Sequence, residues 1–327
     1  METDKIEFID GGTVTSPKGF FAGAAKAGIK EGTDKLDLGI LFSETPCASA
    51  GVFTRTRITS APVSLCQDRI KEGKVVAVVA NSGCANAYTG EEGKADAIRM
   101  AELTAQGIGV DPEQVLMAST GVTGQLLPMD RIEYGISQVI LSAEGGHDLA
   151  QAIMTTDTVP KEAAVSAKGD GFDFTIGGVA KGSGMIHPDM ATMFCFLTTD
   201  APVRPDFLQT ALNEAMAVSL NMISIDGDTS PSDTVVLMAN GQAGGELISE
   251  GSARAETFQA TLNKVCIFLA KALARDGEGA TRLIEVTITR AASIEQARTG
   301  ARAVTASNLV KTAVYGADPN WGRIIMA

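Results

Sequence analysis

Thr192 stands in the stretch "KGSGMIHPDMATMF", Lys181 to Phe194, between Ala191 and Met193 and behind a Gly-Ser-Gly run and a proline. A phosphate loop needs G-x-x-x-x-G-K-[ST], with the lysine after the last glycine. Here Lys181 precedes Gly182, so that reading fails, and "GGTVTSPKGF" near the start fails with it. A threonine opening an apolar strand is ordinarily a β-branched strand former. Threonine is also a nucleophile when its base is its own freed α-amine, a mechanism that needs no histidine. The small Ala191 and the glycine-rich approach would leave the 191–192 peptide accessible to such an attack. Spacing alone leaves the strand and nucleophile readings both open.

Other stretches carry weaker signals. "STGVTG", Ser119–Gly124, reads either as a tight turn with glycine at positive φ or as an oxyanion corner, since glycine leaves backbone N–H groups free to face developing negative charge. "DGDTSPSD" opens like a calcium loop with Asp226 and Asp228, but Pro231 and Leu237 occupy the positions that need Gly and Glu. An Asx-rich turn between helix and strand is expected there instead. The sequence holds two histidines, His147 and His187. His147 lies in a turn leading into a helix and is expected to be solvated. A Ser-His-Asp triad or a histidine metal site would have to be built from these two, so neither a histidine base nor a metal is expected.

The elements that must position these residues interleave. "KVVAVVANSG" (Lys74–Gly83) reads as a buried strand, and "GEEGKADAIRMAELTAQGIG" (Gly90–Gly109) as an amphipathic helix closed by glycine. "QVLMASTGVTGQLLP" (Gln114–Pro128) is a strand breaking into a turn, and a helix over 129–142 follows. Strands are expected at "FDFTIGGVAKGSGMI" (Phe172–Ile186), "ATMFCFLTTDAPV" (Ala191–Val203), "TVVLMANG" (Thr234–Gly241) and "RLIEVTITRAAS" (Arg282–Ser293). Helices are expected near 205–219, over Ala255–Gly277, and from Ser293, where a serine cap precedes a glutamate. This order predicts sheets covered by helices, an α/β or α+β layered sandwich.

Composition bounds the partners. The chain has 327 residues and a net charge of −12, which argues against a nucleic-acid partner because phosphate binding needs clustered Lys and Arg. Cys47, Cys66, Cys84, Cys195 and Cys266 include no C-x-x-C pair, which favours reduced, buried thiols over a disulfide or zinc framework. The acidic N-terminus "METDKIEFID" lacks the apolar run of a signal peptide, and no stretch reaches the length of a membrane span. A soluble, cytoplasmic protein is expected. The chain stops inside an apolar run after "DPNWGR", which reads as a C-terminal truncation.

Several long blocks resemble the ornithine acetyltransferase family of arginine biosynthesis: "SPKGFFAGAAKAGIK", "AGVFTRTRITSAPV", "ANSGCANAYTG", "ASTGVTGQLLP", "AIMTTDTVPK", "KGSGMIHPDMATM", "DGDTS", "ARDGEGATR" and "LVKTAVYGADPNWGRI". The resemblance implies a layered αββα sandwich similar to N-terminal-nucleophile hydrolases but differently connected. It implies self-cleavage between Ala191 and Thr192 into an α-chain region, 1–191, and a β-chain region, 192–327, assembled as a heterotetramer of two of each. Thr192 is then the nucleophile that moves the acetyl group from N-acetylornithine to glutamate, releasing ornithine and N-acetylglutamate. Thr120 and Gly121 match the oxyanion pair; Thr155, Lys181, Thr192 and Glu278 match substrate-binding positions. No cofactor is implied; some members also take acetyl-CoA as co-substrate. Cys84 replaces a commoner Asn, and "SPSD" a commoner Thr-Asn version. The competing readings are an aminopeptidase or amidase with the same threonine, and an uncleaved metabolite-binding protein.

Overall fold

Alternation along the central strands divides the interior in two. Val179, Phe196, Val236 and Met238 belong to one buried apolar cluster, while their neighbours Ala180, Cys195, Leu197, Val235 and Leu237 belong to another. Period-two alternation with both faces apolar is what a sheet buried on both sides requires. The computed structural model describes residues 5–169, 171–187 and 193–327. Its strands are β1 (Lys5–Phe8), β2 (Phe20–Ala25), β3 (Leu38–Phe53), β4 (Val75–Cys84), β5 (Val115–Val122), β6 (Lys161–Gly169), β7 (Phe172–Lys181), β8 (Phe194–Thr199) and β9 (Thr234–Ala239). Its helices are α1 (Ala61–Arg69), α2 (Gly90–Ile108), α3 (Met129–Gln138), α4 (Gly146–Ala152), α5 (Pro205–Val218), α6 (Ala255–Arg275), α7 (Ile294–Ala306), α8 (Asn308–Tyr315) and α9 (Gly322–Met326).

The strand order is β1-β6-β7-β8-β9-β3-β4-β5, with β2 also paired to β3. β3 joins two half-sheets. Its first part pairs with β2 and β4, its last part with β9, and its register against β4 shifts between Phe42 and Cys47. Pro46 lies in that irregular stretch, where the missing N–H costs no ladder bond. α5 and α6 cover β3, β6 and β7, α1 and α2 pack on β5, and α4 sits where β2 and β3 approach β7. The result is a layered arrangement of helices on sheets, as the element order predicts, and it agrees with the αββα sandwich that the family resemblance implies.

α6 shows what holds the outer layer. Phe258, Leu262, Val265, Cys266, Leu269 and Leu273 recur at helical spacing and are all fully buried. Each such large aliphatic or aromatic side chain contributes roughly 1.5–3 kcal/mol against exposure. α2 ends as expected on Gly109 at φ 77, and Ser293 caps α7 by accepting the Gln296 N–H. All five cysteines are free and buried.

The strand expected over Arg282–Ser293 does not form. Its residues are mostly exposed, with Leu283 and Ile288 each 38% accessible, and no described strand pairs with it. Alternation supplies a face but not a ladder partner, and a lone strand leaves its N–H and C=O groups to water. Strands β1, β2, β3 and β6 were not anticipated. Among the described residues no helix is long and apolar enough to cross a membrane.

Candidate active site

Ala191 and Thr192 lie outside the described residues, as do Pro188 to Met190. Both flanks are described. β7 ends at Lys181, which pairs in register with Phe194 at the start of β8, and Met193 is buried in the same apolar cluster as Ala180, Cys195 and Leu197. The connection carrying the threonine therefore leaves from and returns to adjacent strand ends.

Those ends border a cavity of about 600 Å³. Thr120, Gly121, Thr155, Lys181 and Glu278 all line it, together with Met193 and Phe194. These positions come from four separate parts of the chain, so their convergence is produced by the fold.

The first wall is the end of the parallel pair β4/β5, where Gly83 stands opposite Gly121. Gly121 has φ 132, and a Cβ there would meet the Gly83 carbonyl group and sit 2.6 Å from the Cys84 nitrogen. Only glycine permits that approach of two backbones. Thr120 beside it is 8% exposed.

The second wall is polar. The Lys181 ammonium donates to the Thr155 hydroxyl at 3.3 Å and lies 5.7 Å from the Phe194 ring centroid. Burial pushes this lysine below its ordinary value, opposed by Asp157 and Asp233. Asp233 is 2% exposed; burial pushes its carboxyl well above the usual carboxylate range, opposed by Lys181, and among the described residues its Oδ2 has no hydrogen-bond donor. Lys30, half-buried on the same cavity, is pushed down to about 8 by burial, opposed by Asp37.

The third wall is Glu278. Its N–H donates to the Ser183 carbonyl at 2.7 Å, and its carboxylate crowds Gly184, where a Cβ would lie 2.6 Å from Oε1. Behind these walls, Asp157 accepts the Thr155 N–H at 3.0 Å and the Gly182 N–H at 2.6 Å. Lys30, Asp157 and Asp233 were not anticipated as site residues. Asp157 lies inside the "TTDT" stretch beside Thr155, so proximity in sequence was the one available signal for it.

The remaining candidates fall where they were expected. His147 is half-exposed beside Glu162, and its Nδ1 lies 2.9 Å from that carboxylate. Asp226 accepts the Asp228 N–H at 3.0 Å in an Asx turn and also the Ile186 N–H at 2.9 Å. Among the described residues no group of three His, Cys, Asp or Glu side chains is gathered for a metal.

A glycine backbone corner, a buried lysine and a carboxylate thus meet around one cavity in a two-sheet frame, the kind of concave site with a few convergent polar groups at which small molecules bind. The chain belongs to the ArgJ family: the family model matches residues 21–327. The arginine biosynthesis bifunctional protein ArgJ of Dehalococcoides mccartyi is 52% identical over 98% of this chain and 80% of its own. That of Symbiobacterium thermophilum is 54% identical, over 98% of this chain and 81% of its own. The crystal structure of the ArgJ protein of Bacillus halodurans matches with TM-score 0.56 and 43% identity, covering 58% of this chain and 100% of that one. Ornithine acetyltransferase of Mycobacterium tuberculosis, solved with ornithine, matches with TM-score 0.53 and 39% identity over 57% of this chain and 100% of its own.

Proposed function

We propose that this chain is a self-cleaving glutamate N-acetyltransferase that moves the acetyl group of N-acetylornithine to glutamate through an acetyl-threonine ester on Thr192. The observation that carries the reading is the meeting of Thr120, Gly121, Thr155, Lys181 and Glu278 in one cavity beside Met193. The ornithine held by the mycobacterial relative supports the substrate class.

Activation begins when the Thr192 hydroxyl attacks the Ala191 carbonyl and the acyl chain shifts from nitrogen to oxygen. Water hydrolyses that ester, leaving an Ala191 carboxylate and a free Thr192 α-amine. The crystal relatives support a divided chain. The 58% matched by the Bacillus halodurans chain comes to about 190 residues, the length ahead of the Ala191–Thr192 bond.

In turnover the α-amine of Thr192 takes the hydroxyl proton as the oxygen attacks the acetyl carbonyl. Thr120 and Gly121 stabilise the oxyanion. Ornithine leaves with the proton, the acetyl group stays as an ester, and the amine of glutamate attacks it by the reverse route. Lys181 pairs with the substrate carboxylate, Thr155 contacts it from the same wall, and Glu278 pairs with the ammonium. The two products of cleavage assemble as two of each.

The test is a Thr192→Ala variant beside the parent. Denaturing electrophoresis of the parent gives two bands, and N-terminal sequencing of the smaller starts at Thr192. The variant gives one band and transfers acetyl more than about a thousandfold more slowly, as expected for loss of a nucleophile. An intact parent chain, or release of acetate at a rate that glutamate leaves unchanged, refutes the assignment.

A further inference from the structure

We propose that Asp157, Lys161 and Asp276 are positioning residues of this site, a buried carboxylate–ammonium–carboxylate cluster that fixes Thr155, the Lys181–Gly182 strand end and Glu278 relative to one another. The inference rests on the acetyltransferase reading of the cavity and goes beyond it to residues that do not touch the cavity.

Lys161 opens β6 and is 2% exposed, among the largest fully buried side chains of the protein. Its ammonium has three protons and three acceptors: Asp157 Oδ1 at 2.6 Å, Asp276 Oδ2 at 2.6 Å and the Val159 carbonyl at 3.2 Å. Each carboxylate then reaches outward. Asp157 accepts the backbone N–H of Thr155 and of Gly182. Asp276 accepts the Thr158 N–H at 2.9 Å and the Thr158 hydroxyl. Lys161 and Lys181 hold the Asp157 carboxyl below its usual range against the opposing effect of burial.

None of the three charged residues lines the cavity. Each arm instead ends within two residues of one that does. Asp157 holds Thr155 directly and Lys181 through the next peptide, and Asp276 stands two residues before Glu278. Two further bonds close the frame: Thr156 Oγ1 to Ser183 Oγ at 2.7 Å, and the Glu278 N–H to the Ser183 carbonyl. Three segments remote in sequence are thus locked together at the point where their polar side chains enter one cavity.

Desolvating three charges is costly, and apolar replacements of a buried ion cluster are often as stable. Cohesion alone is therefore a poor reason for this cluster. Holding reacting groups to within a fraction of an ångström is a better one, since a misplacement of about 1 Å costs on the order of a hundredfold in rate.

The test uses Asp276→Asn in the full chain, a neutral replacement of the same shape, with Lys161→Met as a second variant. Amide hydrogen exchange at Thr155 and Gly182 should quicken in both. Acetyl transfer per correctly folded molecule should show a kcat/KM for N-acetylornithine lowered about 10- to 100-fold. Exchange at those two amides equal to the parent's overturns the proposal. So does a loss of activity that merely follows the folded fraction, with parental kcat and KM per active site. Failure of the acetyltransferase reading appears separately, as a parent chain without transfer, and the exchange measurement still decides the role of the cluster.

Discussion

Two cavities of almost equal size meet at Glu278, one of about 600 Å³ and one of about 580 Å³. The first is walled by a glycine corner, a buried lysine and a buried aspartate. The second lies between α6, the segment after it, and α8, and is lined largely by aliphatic groups such as Met222, Ile267, Leu283, Ile284 and Val314. Volume does not separate them; the state of their charges does. In the first, Lys181 and Asp233 are both buried, and burial pushes each toward its uncharged form. In the second, Lys271 pairs with Glu285 at 3.1 Å with both side chains more than half exposed, and the half-buried Lys311 donates to the Ser224 and Ile225 carbonyls. Exposed pairs of this kind contribute little.

The largest effect that would sharpen this contrast is expected at the glycine corner. Gly121→Ala places a methyl group against the Gly83 backbone at a φ that L residues rarely adopt. The atoms it would meet are Gly83 and Cys84 backbone, so no flexible side chain can yield. We expect a stability loss of about 2 kcal/mol, and at least a hundredfold lower kcat/KM in the fraction that folds. Thermal melting and single-turnover acetylation measure the two effects. A variant with the parent's melting temperature and rate would remove the corner from the mechanism.

Lys181→Met should act next most strongly, and on binding. Methionine fills the buried slot without a charge, so the fold should survive while KM for N-acetylornithine rises about tenfold or more. The pH dependence gives the sign. The ammonium is the form that pairs with a carboxylate, and burial lowers its pKa from the ordinary 10.5. Substrate affinity in the parent should therefore weaken as pH rises, beginning below the range of an exposed lysine. The variant should have a higher KM that no longer changes across that window. A parent KM independent of pH up to the ordinary lysine range would move the substrate carboxylate elsewhere.

Legibility in the sequence divides along the same line between apolar and charged walls. β4 was readable because "KVVAVVANSG" is a run that stays apolar whichever face it turns, and α6 because its buried residues keep helical spacing. β3 was hidden by Pro46 and by the small polar residues where it changes sheets. Arg282–Ser293 misled in the opposite sense, since it alternates without finding a partner. For the site, Thr120, Gly121, Thr155, Lys181 and Glu278 came from matching blocks, and the fold does gather them. Asp157, Lys161 and Asp233 look like ordinary surface charges in sequence. Their burial depends on which distant segments meet, and no local pattern encodes that.

The smallest effect is expected in the aliphatic cavity, and it is the control that the comparison needs. Val314 on α8 is half-buried and lines that space. Val314→Ser removes part of its apolar surface without touching the charged walls. Partial exposure limits the loss to about 1 kcal/mol, a shift of a few degrees in melting temperature. Transfer kinetics should stay within about twofold of the parent, since Val314 lines neither the glycine corner nor the charged walls. A tenfold change in KM for N-acetylornithine or glutamate would instead mean that the two cavities act as one site. Glu278, which borders both, would then be a passage between them rather than a wall.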